Sequence, residues 1–137
     1  MPNIRVQLVT SEIDYNSYTK WCHHPSAGAV TSFIGTTRDN FEDKKVTTLS
    51  YEAYDELALN EMRKICEEAL KKYGGLRACM VHRLGEVKVE EASIICVIST
   101  PHRKEGFEAC EWMMNELKKR VSIWKKEIFD DGNSVWK

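Results

Sequence analysis

The stretch Ala92 to Thr100, A-S-I-I-C-V-I-S-T, constrains the fold more than any other part of this chain. It is apolar at odd and even positions alike, so as a strand it presents hydrophobic side chains on both faces and belongs in the middle of a sheet. Leu76 to Leu84 reads as its neighbour, separated from it by a short segment containing Gly85. Ile4 to Val9 alternates apolar and polar residues as an edge or half-buried strand does. Gly28 opens another strand, running to about Gly35. Val46 to Tyr54 alternates too, with Leu49, Tyr51 and Ala53 on one face.

Between these strands the period changes to three and four. Ser11 or Asp14 can cap a short helix that ends near His23-His24-Pro25. From Asp55 to Tyr73 the positions Ala58, Met62, Ile65, Cys66, Ala69, Leu70 and Tyr73 form an amphipathic stripe, and Gly74-Gly75 stops it. A second long helix follows Pro101, with Phe107, Cys110, Met114, Leu117 and Val121 as its expected buried stripe. Trp124 to Phe129 makes a last strand, and Asp131-Gly132-Asn133-Ser134 a turn. The polar run Arg38 to Lys45 reads as a loop. The order β-α-β-β-α-β-β-α-β predicts an α+β domain with a mainly antiparallel sheet. With no Pro-, Gly- or Ser-rich divider, residues 1–137 read as a single domain.

With 20 basic against 21 acidic residues, the chain has no electrostatic footprint of a generic nucleic-acid binder. Its aromatics are not interleaved with a basic stripe either, so nucleic acid is not an expected partner. The start lacks a signal-peptide core, and no apolar run approaches the roughly 18 residues of a membrane span. Five cysteines without a C-x-x-C pair fit a reducing compartment, and the expected location is the cytosol. Four histidines lack zinc-site spacing, glycine fingerprints for nucleotides are missing, and no G-x-S-x-G marks a hydrolase. Cys22 beside His23 is the nearest approach to a nucleophile and base, and reads more simply as an apolar helix position before a polar helix end.

The cations carry more information. Arg38 follows the strand containing Phe33, His102-Arg103 opens a helix where free N–H groups favour an anion, and Lys118 and Lys125 flank the end of that helix. Each alone reads as a solvated surface charge; together they can form a pocket for phosphate or carboxylate. Met114 and Lys118 are i, i+4 neighbours, which sets an ammonium at the polar edge of the helix stripe. A half-buried lysine there can act as acid, base or nucleophile. A basic last turn that complements the helix dipole is the plainer alternative.

The segments Gly28 to Asn40 (G-A-V-T-S-F-I-G-T-T-R-D-N), Val81 to Gly85 (V-H-R-L-G), Ser99 to Arg103 (S-T-P-H-R) and Leu117 to Glu127 (L-K-K-R-V-S-I-W-K-K-E) resemble, in order and over almost the whole chain, the large catalytic subunit of molybdopterin synthase. The resemblance implies an α/β hammerhead fold with an additional small antiparallel β-sheet. It also implies a homodimer within a heterotetramer, each copy binding a small ubiquitin-like sulphur carrier. The carrier's C-terminal Gly-Gly thiocarboxylate enters the large subunit's pocket, and two sulphurs pass to cyclic pyranopterin monophosphate to form the dithiolene of molybdopterin.

By position, Lys118 matches the family's essential lysine and Lys125 a second active-site lysine. Phe33, Arg38, His102, Arg103 and Met114 match residues lining the substrate pocket, the His-Arg pair reaching it from the neighbouring subunit. The scheme needs neither a metal nor an organic cofactor. The competing reading is a non-catalytic scaffold that binds a ubiquitin-like partner through an apolar groove and uses the basic rim only for docking.

Overall fold

The computed structural model describes residues 2–136. One sheet has the order β1 (Ile4–Val9), β5 (Arg77–Arg83), β7 (Ala92–Thr100), β2 (Ala29–Thr36), with β1 and β5 parallel and the other pairs antiparallel. Every residue of β7 is buried. Ile94, Cys96 and Ile98 pack with helices α2 (Asp55–Tyr73) and α3 (Arg103–Arg120), through Met62, Ile65, Ala109 and Met113. Ile95 and Val97 point the opposite way, into a smaller cluster with Cys79, Val81 and Cys22, the last residue of helix α1 (Tyr15–Cys22). The double-sided apolar strand is therefore covered by helices on both faces.

The second sheet is built around β4 (Lys44–Ala53), which pairs antiparallel with β8 (Ile123–Phe129) on one side and with β6 (Gly85–Lys88) and the two-residue β3 (Asn40–Phe41) on the other. β9 (Ser134–Trp136) adds to the outer edge of β8. Val46, Leu49, Tyr51, Val87 and Phe129 form its core. Val46 and Leu49 are an odd number of residues apart yet both are buried, because the register shifts between Val46 and Thr48. A bulge of this kind reverses the alternation of a strand. The mixed α+β class and the additional antiparallel sheet expected from the sequence are both present.

Three departures have physical reasons. The run Arg38 to Lys45 is not a plain loop but a hairpin, β3 to β4, turning through Glu42 and Asp43 at φ 49 and 65°. Paired left-handed residues make the tight turn that matches strand twist, and polar residues there hide the strand signal. The strands β6 and β9, of four and three residues, were not expected either. On α3 the buried stripe is Gly106, Ala109, Cys110, Met113 and Leu117. Phe107, expected inside, is 66% exposed. Large apolar residues suggested one face; the small ones let the backbone approach the sheet, and that closeness turned the helix.

Gly106 is the point of closest approach. A methyl built on it would overlap Thr31 Oγ1 and stand 3.1 Å from Thr100 Oγ1. We expect Gly106→Val to lower unfolding free energy by about 1–3 kcal/mol, the usual cost of overpacking, seen as a shifted urea midpoint. An unshifted midpoint would mean that α3 is not seated on β2 and β7 at this glycine.

Candidate active site

Helix α3 runs across the first sheet and ends where the second begins. Leu117 is buried in the core, so Lys118 emerges beside it at the helix end, one turn after the half-buried Met114. The chain then turns directly into β8. Glu61 of α2 fixes that turn: its Oε1 accepts from both the backbone N–H and the hydroxyl of Ser122, each at 2.9 Å. Lys125 follows on β8, directly opposite Tyr51 of β4. Directly opposed residues of an antiparallel pair share a face.

Between these elements lies a cavity of about 490 Å³. Phe33 of β2, Met114 and Lys118 of α3, Lys125 of β8, and Tyr51, His82 and Ser93 all line it. A second lobe of about 440 Å³ continues along α3 past Phe107 and Cys110, sharing Phe33, Met114 and Lys118 with the first. This volume suits a ring-sized ligand, which typically occupies clefts of about 300–1,000 Å³.

The charges are distributed unevenly. In the triplet Lys118-Lys119-Arg120, Lys119 lies 3.7 Å from Glu116, and Arg120 is held by Glu68 at 2.7 Å and Glu116 at 3.3 Å. Among the described residues, neither Lys118 nor Lys125 has a carboxylate partner, and no carboxylate lines the larger cavity. Two uncommitted ammonium groups therefore face the larger lobe with no neutralising acid in its lining, the arrangement that recruits an anion, while Glu111 lines the second lobe. Lys118 itself is exposed at the rim rather than half-buried.

The floor is neutral. Burial pushes the Tyr51 phenol above its ordinary range, and its hydroxyl is hydrogen-bonded to Ser93. His82, 4% exposed, packs edge-on against Tyr51 with ring centroids 4.7 Å apart. Burial lowers its pKa from 6.5 to about 4. His82 stands in the V-H-R-L-G segment but is not among the site residues expected from the sequence; its signal is a polar residue at an inward position, next to the Ala, Cys, Met and Val of the strand interior.

Phe33, Met114, Lys118 and Lys125 are thus brought together. Arg38, His102 and Arg103 are not. Arg38 is exposed in the connection between β2 and β3, and His102-Arg103 sits at the start of α3. Lys118 is near the other end of that helix, about 23 Å along its axis at roughly 1.5 Å per residue. The Cys22–His23 pair forms no dyad: Cys22 is fully buried with Sγ 3.8 Å from the Val97 carbonyl, and the His23 ring bonds the Thr19 carbonyl at 3.0 Å. All five cysteines are buried free thiols. Among the described residues, no three metal-ligating side chains converge and no helix is long and apolar enough to cross a membrane.

His82 makes the fold pH-sensitive in a defined direction. Its folded pKa lies below the unfolded one, so the stability it permits is complete above pH 6.5 and falls as pH drops from 6.5 towards 4. The loss reaches at most roughly 3 kcal/mol. We expect His82→Gln to flatten that part of the stability profile in denaturant titrations. An unchanged slope would mean that another group governs it.

A family model described as MoaE protein matches residues 8–120. Among curated relatives, the molybdopterin synthase catalytic subunit of Culex quinquefasciatus is 44% identical, the match covering 96% of this chain and 86% of that protein. The one from Bos taurus is 42% identical, covering 96% and 70%. That of Drosophila melanogaster is 47% identical over 96% of this chain, but this chain spans only 36% of its length. Of solved structures, molybdopterin synthase from Staphylococcus aureus superposes with a TM-score of 0.90 at 32% identity, covering 95% of this chain and 94% of that one. A Helicobacter pylori complex of subunits 1 and 2 of molybdopterin-converting factor contains a chain of the same fold, with a TM-score of 0.78 at 24% identity, covering 96% and 88%. The chain belongs to the MoaE family, whose curated members similar to it are catalytic subunits of molybdopterin synthase.

Proposed function

We propose that this chain is the sulphur-transferring subunit of a molybdopterin synthase. It takes sulphur from the C-terminal thiocarboxylate of a small ubiquitin-like carrier and passes it to cyclic pyranopterin monophosphate, in two rounds, to build the dithiolene. The observation that carries this reading is the pair of uncommitted lysines, Lys118 and Lys125, converging on a cavity lobe that no carboxylate lines. Both reactants are anionic, one through its thiocarboxylate and the other through its cyclic phosphate.

The two lysines have different tasks in this scheme. Lys118, at the junction of both lobes, is the general acid/base that moves protons and steadies negative charge as sulphur attacks the pterin side chain. Lys125, on the strand behind it, holds the carrier tail. Phe33 and Met114 form the apolar wall shared by both lobes, against which a flat ring can lie. No metal or organic cofactor takes part.

Arg38, His102 and Arg103 complete the substrate site in a homodimer. Because His102-Arg103 and Lys118 occupy opposite ends of α3, a second copy is needed to bring that pair to the pocket of the first. There the arginine fork and the helix N-terminus hold the substrate phosphate. The assembly is a heterotetramer of two such chains and two carriers, working in the cytosol, where buried thiols stay reduced.

A single-turnover assay with a thiocarboxylated Gly-Gly carrier and cyclic pyranopterin monophosphate, read by product mass, tests this. The wild type should add two sulphurs. Lys118→Ala should slow transfer by about 10²–10⁴-fold, the usual contribution of a general acid/base, with carrier affinity retained. Lys125→Ala should chiefly weaken carrier binding; loss of turnover with unchanged affinity would contradict its assigned role. If wild-type protein binds carrier and moves no sulphur, the scaffold reading replaces this one.

Sulphur arrives on the carrier, so no cysteine of this chain is required. Cys110, which lines the second lobe, gives the sharpest check: Cys110→Ser should retain two-sulphur transfer. Abolished transfer in a folded Cys110→Ser protein would show that a thiol of this subunit relays sulphur.

A further inference from the structure

The floor of the cavity carries a group that the scheme above leaves unused. His82 sits on β5 at the junction of the two sheets, lines the cavity, and is packed edge-on by Tyr51. One ring nitrogen, Nδ1, lies 2.8 Å from the backbone carbonyl oxygen of Arg83. A carbonyl can only accept, so Nδ1 carries the ring proton and Nε2 holds a bare lone pair. Among the described residues, Nε2 has no protein hydrogen-bond partner.

The cations above it offer no substitute. Lys118 and Lys125 are donors only. The Tyr51 hydroxyl is engaged with Ser93, and Ser93 Oγ donates to the Gly35 carbonyl at 3.4 Å. His82 is therefore a fixed, uncharged acceptor beneath two cations. Its Nε2 is open to the cavity and without a protein partner, so an occupant that excludes water and presents an N–H to it gains orientation, and one that cannot leaves the acceptor unpaired.

We propose that His82 is a substrate-positioning residue whose Nε2 accepts a hydrogen bond from a ring N–H or amino group of the bound heterocycle, setting the ring's orientation under Lys118. The inference rests on the reading of this cavity as the pterin site. It adds a recognition element for the ring itself, where the cations recognise only the anionic groups. The low pKa of His82 supports it, since the imidazole keeps its acceptor lone pair throughout the working pH range.

Two measurements on the full chain test it. Histidine-ring ¹⁵N spectroscopy should show Nε2 of His82 unprotonated in the free protein and shifted when cyclic pyranopterin monophosphate is added. In steady-state turnover with thiocarboxylated carrier, His82→Phe should raise KM for the pterin about tenfold with kcat little changed. His82→Gln, which restores an acceptor oxygen, should recover most of that loss.

A resonance unmoved by substrate overturns the proposal, as does a folded His82→Phe protein with wild-type KM. Equal impairment in the Phe and Gln variants assigns His82 a packing role and overturns it too. Failure of the broader reading looks different: a substrate-dependent shift at His82 in a protein that transfers no sulphur would sink sulphur transfer and sustain ring recognition.

Discussion

The architecture follows from a strand that tolerates water on neither face. β7 needs apolar cover above and below, and the chain supplies it with α2 and α3 on one side and α1 with its flanking residues on the other. Fully burying a single Val, Leu or Ile side chain contributes about 1.5–3 kcal/mol, and β7 buries Ile94, Ile95, Val97 and Ile98 together. Once α3 is pressed onto the sheet through Gly106 and Ala109, its far end has to project over the seam with the second sheet. The cavity is the space left under that overhang.

Electrostatics then distinguishes one lysine from its neighbours. Arg120 and Lys119 are absorbed into ion pairs with Glu68 and Glu116, while Glu61 holds the turn at Ser122. These contacts fix the helix end and the start of β8 relative to each other. They also leave Lys118 and Lys125 facing the cavity, where positive charge stands over a neutral floor of Tyr51, Ser93 and His82. Such a site attracts anions without trapping them in a permanent internal ion pair.

Much of this was legible in the residues, for identifiable reasons. Strong period-two and period-three-to-four patterns marked β1, β4, β7 and α2 almost to the residue, because burial there is one-sided or complete. Three short strands escaped: hairpin and edge segments such as Asn40–Phe41 and Ser134–Trp136 are too brief to show a period. The rotation of α3 escaped because hydrophobicity weighs side-chain size, whereas seating depends on the absence of a side chain at Gly106. At the site, Lys118, Lys125, Phe33 and Met114 were marked by position along the chain and by family resemblance. His82 was marked only as a lone polar residue at an inward strand position; the tautomer and burial that define it are not written in the sequence. Arg38, His102 and Arg103 were named on the same two grounds and lie outside the cavity of one chain.

The most direct test is a structure of this chain bound to its carrier. If the account is right, the carrier's Gly-Gly tail runs between α3 and β8 and ends against Lys118 and Lys125, with His102-Arg103 of a second copy closing the cavity. A tail that ends elsewhere, or a cavity filled by side chains of the carrier's folded body, would contradict it.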